Sequence, residues 1–363
     1  MLAFFYFVQM LINLPKMLLV SWNNMIPKSG LKITTVTQPE LWMTSFHRTI
    51  NLSICHVDSR GATWQIDDER VQEGRECSRE FRIDPRVPHR VTVEVWRDRK
   101  EMVMEGIEAV KMFWLASVGD SFSSGQGNPG SGRHMWLDEP CYRSTLAFPY
   151  LVAQSIPNSA LSFLSCSGST VDNGVLSQLD TLQHLISSYG SPPDSLLLTI
   201  GGNDIGFSDV ISMVQRDSKV DDKFDMRFFF VSHQIDRVAR KLRDMKISKV
   251  ILVTYYDITK NDKGEVDPSC GAFGQVSKAN LQLAEKRILQ RLNSLLRRKA
   301  AEHGWITVDT MEMFRTRGLC SSRSLIRTKN ESLVLQGNEY GSFHPNGEAH
   351  RLISREVLRI INN

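Results

Sequence analysis

From Met112 to its C-terminus the chain alternates short apolar runs with longer stretches of helical spacing, and that alternation leaves little choice of fold. The apolar runs are Met112 to Val118, Ala160 to Leu164, Ser195 to Ile200, Lys249 to Tyr255 and Trp305 to Val308. Helical spacing marks Leu146 to Gln154, Val175 to Ser188, Phe228 to Met245, Val276 to His303 and Gly347 to Ile361. Strands joined through helices pair in parallel, because a parallel pair needs a long crossover rather than a hairpin. The expected architecture is therefore an α/β fold, a five-stranded parallel sheet with helices on both faces. Ligands of such sheets bind beyond the carboxyl ends of the strands, so the turns after each run are where chemistry is expected.

Residues 31–110 have a different cadence. Leu31 to Val36, Thr49 to Cys55, Ala62 to Ile66, Glu80 to Ile83 and His89 to Trp96 are short alternating runs split by polar turns, the pattern of a small antiparallel sandwich. This stretch faintly resembles a polycystic-kidney-disease (PKD) or immunoglobulin-like module. Its plain reading is a structural appendage; the other is a domain that binds substrate or a surface. Residues 1–30 hold the apolar stretch Leu2 to Leu14, which has the length of a signal-peptide core and is cut short by Pro15-Lys16. It reads as a secretion signal or weak membrane anchor, with a misplaced start or a buried segment as alternatives. The division expected is thus 1–30, 31–110 and 111–363.

Charge and cysteine content narrow the function. A net charge of +4 over 363 residues, with no basic block interleaved with aromatics, does not support a nucleic-acid groove. The basic stretch Lys286 to Lys299 has the apolar spacing of a solvated amphipathic helix. Six cysteines, an even number, suit an oxidising compartment, six buried free thiols being the alternative. No Cys-x-x-Cys or His-x-x-x-His spacing suggests a metal site, and no cofactor is called for.

Four blocks follow one another along the alternating region. Gly119-Asp120-Ser121 ends the first run and precedes a Gly-rich turn, Gly125 to Gly130; Ser165-Cys166-Ser167-Gly168-Ser169-Thr170 follows the second run. Gly201-Gly202-Asn203-Asp204 ends the third, and Phe343-His344-Pro345-Asn346 leads into the last helix. Each block alone reads as an ordinary turn or helix entry. In this order they resemble the SGNH (GDSL-type) hydrolases, and Ser165 to Gly168 with Ile200 to Phe207 are similar to the secreted bacterial esterase and lipase branch. The resemblance covers roughly residues 112–363 and implies a flavodoxin-like sheet.

It also implies roles. Ser121 is the nucleophile, His344 the base, and the N–H groups of Ser121 and Gly168 with the Asn203 amide are the oxyanion donors. Asp120 and Asp204 read as turn or cap residues, and His134, His184, His233 and His350 as surface or packing residues. Relatives of that branch carry disulfides that correspond to Cys141–Cys166 and Cys270–Cys320, leaving Cys55 and Cys77 to pair in the N-terminal region. The family usually has an Asp three residues before the histidine, where this chain has Gly341. A main-chain carbonyl near Gly341 is the expected substitute, with Glu339 and Asp309 as the carboxylate alternatives. The function implied is a secreted carboxylic-ester hydrolase acting on a lipid, a small acyl ester or an acylated glycan. Weak membrane or surface association would come through the N-terminal segment. An acetyl-esterase on glycans and a non-catalytic binding protein on the same fold are the competing readings.

Overall fold

The computed structural model describes residues 31–35, 38–55, 60–67, 69–96, 100–130, 135–216 and 224–363. The N-terminal apolar segment and His134 lie outside them. The chain forms two compact units, and the segment Thr37–Phe46 belongs to the same unit as Met112–Asn363.

In the first unit β1 (Lys32–Thr35), β3 (Arg48–Ser53) and β6 (Ser78–Ile83) form one antiparallel sheet. A second antiparallel sheet runs β5 (Glu69–Gly74), β4 (Gly61–Ile66), β7 (His89–Trp96) and β8 (Lys100–Ile107). Ile50, Leu52, Trp64, Phe81, Val91 and Val93 from both sheets fill one core, which is why apolar residues recur at every second position. A disulfide joins Cys55 and Cys77. β5 and β8 escape a reading of the sequence, because polar residues dominate the first and acidic residues interrupt the second.

The second unit is built on a sheet of parallel strands in the order β13 (Ile306–Val308), β12 (Val250–Val253), β11 (Ser195–Leu198), β9 (Phe113–Val118), β10 (Ser159–Phe163) and β2 (Glu40–Leu41). β10, β11 and β12 are buried along their whole length, as parallel strands covered on both faces must be. Helices α1 (Ser121–Ser124), α2 (Phe148–Gln154), α3 (Val175–Tyr189), α4 (Phe207–Gln215) and α5 (Phe224–Asp244) follow in chain order. Then come α6 (Lys278–Ala284), a π-helical turn Glu285–Leu289, α7 (Gln290–His303), α8 (Met311–Phe314), α9 (Lys329–Gln336) and α10 (Gly347–Asn362). No described helix is long and apolar enough to cross a membrane.

The sheet has six strands where five were expected. The extra one comes from the segment Thr37–Phe46, read from sequence as part of the sandwich. β2 contributes only two residues to the ladder, too few to leave a periodic signal. Its position is fixed by Trp42, which is fully buried and packs against Trp114, Phe46 and Tyr189. Trp42 N donates to Leu161 O at 3.0 Å, and Ser162 Oγ, itself accepting from Trp114 Nε1 at 2.9 Å, donates to Trp42 O at 2.6 Å.

Trp42→Ala is expected to destabilise the second unit by about 3–5 kcal/mol, the usual range for removing a buried aromatic. Chemical denaturation measures it. A change within about 0.5 kcal/mol, as for a surface substitution, would show that the segment does not pack in this sheet.

Candidate active site

β9 is followed by Gly119, whose φ of +153° and crowding both demand glycine: a Cβ there would lie 2.2 Å from Thr199 Oγ1. The turn places Asp120 as the N-cap of α1, its carboxylate accepting from Phe122 N at 3.1 Å. Ser121 is then the first helical residue, with its hydroxyl beside the sheet's carboxyl edge. Asp120 is almost wholly buried. Burial raises its carboxyl above the ordinary range, and donors from other strands oppose that shift. These are Thr199 Oγ1 at 2.9 Å, just past β11, and the Tyr255 hydroxyl, just past β12.

His344 Nε2 lies 2.8 Å from Ser121 Oγ, and Nδ1 lies 3.1 Å from Ser342 O. A carbonyl can only accept, so Nδ1 carries the proton and Nε2 offers its lone pair to the serine hydroxyl. Desolvation pushes the imidazole down to about 4, against the hydrogen bonds to Ser342 and Gly341. At neutral pH the ring is uncharged and able to take a proton.

The carboxylates considered as partners for His344 are engaged elsewhere, Glu339 with Lys329 and Asp309 with Arg297. The reason for glycine at 341 is steric. A Cβ there would meet Gly127 Cα at 2.6 Å and Ser332 Oγ at 2.9 Å, and one on Gly127, whose φ is +88°, would meet Gly341 O at 2.9 Å. Two loops thus touch backbone to backbone where an aspartate side chain would begin. Arg327 Nε donates to Gly127 O at 3.0 Å, Arg327 N to His344 O at 2.8 Å, and Asn128 Nδ2 to Pro345 O at 2.8 Å.

Gly168 has a φ of +77° with open space around its Cα. Its backbone conformation therefore requires glycine, and crowding by protein does not. The Asn203 amide donates to Ser169 O at 2.9 Å, and Asp204 Oδ1 accepts from Val171 N at 2.9 Å, so the second and third blocks brace each other. Asp204, read from sequence as a turn or cap residue, thus braces one loop against another. Its other oxygen is buried without a partner among the described residues, and desolvation lifts the carboxyl to about 6. Ser121, Asn203 and His344 line one small groove with Asp120, Phe122, Gly202, Phe207, Tyr255 and Tyr256. Disulfides Cys141–Cys166 and Cys270–Cys320 are formed. The first joins the loop after the serine to the Gly168 block, and Cys166 N also donates to Gly119 O at 3.0 Å.

His184 and His233 are exposed. His350 is fully buried and accepts from Phe148 N at 3.1 Å. Asp236, Glu302 and His303 converge closely enough to suit a cation, but Lys299 Nζ already stands there, 2.8 Å from Asp236 and 2.9 Å from Glu302.

Residues 117–352 match the GDSL-like lipase/acylhydrolase family. The chain belongs to that family. It is a carboxylic ester hydrolase, similar to two curated lipases. One is Lipase 1 of Streptomyces coelicolor, 26% identical over 221 residues that span 59% of this chain and 75% of that one. The other is a lipase of Streptomyces rimosus, 27% identical over 254 residues, 68% of this chain and 85% of that one. The fold is that of the S. rimosus extracellular lipase crystal structure, which superposes with a TM-score of 0.52 at 23% identity. That match covers 69% of this chain and 99% of the lipase.

Reading the motifs of this acylhydrolase did not reveal Thr199, Tyr255, Gln178 or Arg327. Gln178 brackets Gly119, its Oε1 accepting from Gly119 N at 2.7 Å and its Nε2 donating to Gly119 O at 2.9 Å. Thr199 and Tyr255 do stand at the carboxyl ends of the apolar runs Ser195 to Ile200 and Lys249 to Tyr255, the one signal that could have marked them.

Two outcomes are expected. Gly341→Asp should lower activity, not add an acid to the pair, because its Cβ collides with Gly127; a turnover above the parent's would show that the site has room for a triad. The acid limb of kcat/KM should fall near the imidazole's depressed value, about 4, since only below it is the base protonated. A limb at the ordinary histidine value, with full recovery on return to neutral pH, would contradict the desolvated base.

Proposed function

We propose that the enzyme cleaves carboxylic esters through an acyl-enzyme on Ser121, with His344 as its base and no carboxylate behind it. The carrying observation is the 2.8 Å contact between Ser121 Oγ and His344 Nε2, with Nδ1 held on Ser342 O. Ser121 Oγ attacks the ester carbonyl as its proton passes to Nε2. The oxyanion is met by the N–H groups of Ser121 and Gly168 and by the Asn203 amide. Neither N–H is engaged by another group among the described residues, as expected for a helix N-terminus and an exposed turn. Collapse expels the alcohol, protonated by His344, and water attacks the acyl-enzyme by the same route in reverse.

An acyl chain longer than acetyl suits the surroundings. An apolar cavity lined by Phe207, Val210, Ile211, Phe273, Ile288 and Leu292 adjoins the groove and shares Gly202, Phe207, Tyr255 and Tyr256 with it. That favours a lipid or acyl ester over acetylated glycans, as do the lipase names of the relatives. The intact serine–histidine contact argues against a purely binding role. Three disulfides favour an extracellular setting.

A fluorophosphonate probe should label the parent, and Ser121→Ala should abolish both labelling and hydrolysis of p-nitrophenyl esters. If the variant labels and turns over at the parental rate, the nucleophile is another residue.

A further inference from the structure

A hydroxyl that belongs to none of the four motif blocks joins two of them. Tyr255 lies two residues beyond β12, its backbone clamped by the fully buried Asn293: Tyr255 N donates to Asn293 Oδ1 at 2.9 Å, and Asn293 Nδ2 donates to Tyr255 O at 2.7 Å. The phenol therefore arrives from a fixed base. Its O–H donates to Asp120 Oδ2, and its oxygen accepts from Gly202 N at 2.9 Å. Asp120 immediately precedes the nucleophile and caps its helix, while Gly202 immediately precedes Asn203. The fit is close on the Gly202 side as well, because a Cβ there would stand 2.7 Å from the Tyr255 ring. The glycine before Asn203 is thus demanded by the tyrosine beneath it.

We propose that Tyr255 is a positioning residue that sets the distance between the Ser121 turn and the Asn203 amide, so that attack and oxyanion capture occur at one carbonyl. It touches no reacting atom. The proposal rests on the assignment of Ser121 and Asn203 given above. Without the hydroxyl, Gly202 N and Asp120 Oδ2 each lose a buried partner, and the Asn203 loop keeps its bracing from Ser169, Val171 and Arg227, none of which ties it to the Ser121 turn. Substrate would still bind, since the groove walls remain. The oxyanion would be met by a donor out of place, which lowers kcat more than it raises KM.

A double-mutant cycle tests this on the full chain. Turnover of p-nitrophenyl butyrate is counted per active site titrated with a fluorophosphonate, so that misfolded protein lowers the number of sites and not the rate of each. Asn203→Ala should lower kcat about 10²–10³-fold, the usual effect of removing an oxyanion donor. Tyr255→Phe, which keeps the ring, should lower kcat at least tenfold with KM within about threefold, a split that follows from the loss of a transition-state interaction alone. In the Asn203→Ala background, Tyr255→Phe should cost little more, because coupled residues are not additive. Should Tyr255→Phe yield no titratable sites, Gly202→Ala, which drives a methyl against the same ring, is put through the same cycle. A per-site kcat near the parent's for the tyrosine variant, or fully multiplicative losses in the double variant, overturns the proposal while leaving the catalytic reading intact. An Asn203→Ala variant with parental turnover would instead overturn the oxyanion assignment on which the proposal stands.

Discussion

Burying the Asp120 carboxylate beneath the serine is tolerable only because three strand ends converge to supply its donors. An unpaired carboxylate at that depth would be strongly unfavourable. Phe122 N reaches it from its own turn, Thr199 from the end of β11 and Tyr255 from the end of β12. Each donor is productive only if the strands stand in the observed register, with Leu198 beside Val118 and Leu198 itself one strand from β12. The carboxylate therefore acts as a gauge: parallel strands that slipped by one residue would strand it. The same three strand ends carry the serine, the glycine-rich turn before Asn203, and the tyrosine between them. Packing of the apolar sheet and positioning of the catalytic groups are one constraint at this point.

The histidine is held on a different principle. In a Ser-His-Asp enzyme a buried carboxylate both orients the ring and stabilises its charged form. Here Ser342 O does the orienting, and the loop bearing it is stiffened by backbone contact with Gly127 and by Arg327. Desolvation lowers the basicity of His344, and a carbonyl offsets that loss less than a carboxylate would. An imidazole so placed is a weaker base than one backed by an acid, but it stays neutral well into acid conditions. Phe343, next to it, has a φ of +65°, rare for a bulky residue. Its carbonyl accepts from Tyr256 Oη at 3.0 Å and its ring faces Phe273 at 6.3 Å, and these contacts hold the turn in that conformation.

The four blocks were legible in the sequence because each is a local event: three are strand ends followed by a glycine in a conformation other residues resist, and the fourth is the capped entry of the last helix. The parallel sheet was legible for a related reason, its strands being continuous apolar runs. What could not be read depends on distance or brevity. β2 is two residues long, and its anchor Trp42 meets Trp114 only in the folded sheet. Tyr255 meets Asp120 across 135 positions, and Gln178 meets Gly119 across 59, so neither contact leaves a periodic trace. Helix α9 is a different case: Thr328 and Glu331 form a full capping box, a pattern visible in the sequence. It was hidden only by the apolar face it lacks, for Leu333, Val334 and Leu335 point to solvent.

Loops that carry catalytic groups are ordinarily the least stable parts of a domain, yet this site needs several of them in place at once. Cys141–Cys166 closes 25 residues across the serine loop and the Gly168 block, and Cys270–Cys320 closes 50 across the two late loops. In the chain-entropy account, loops of such lengths gain roughly 3–4 kcal/mol each from closure. That stabilisation falls on the carboxyl edge, where the sheet's own hydrogen bonds have ended. Buried carboxylate, braced loops and disulfides thus divide the work by distance from the sheet: strand register governs what lies within two residues of a strand end, and covalent closure governs what lies beyond.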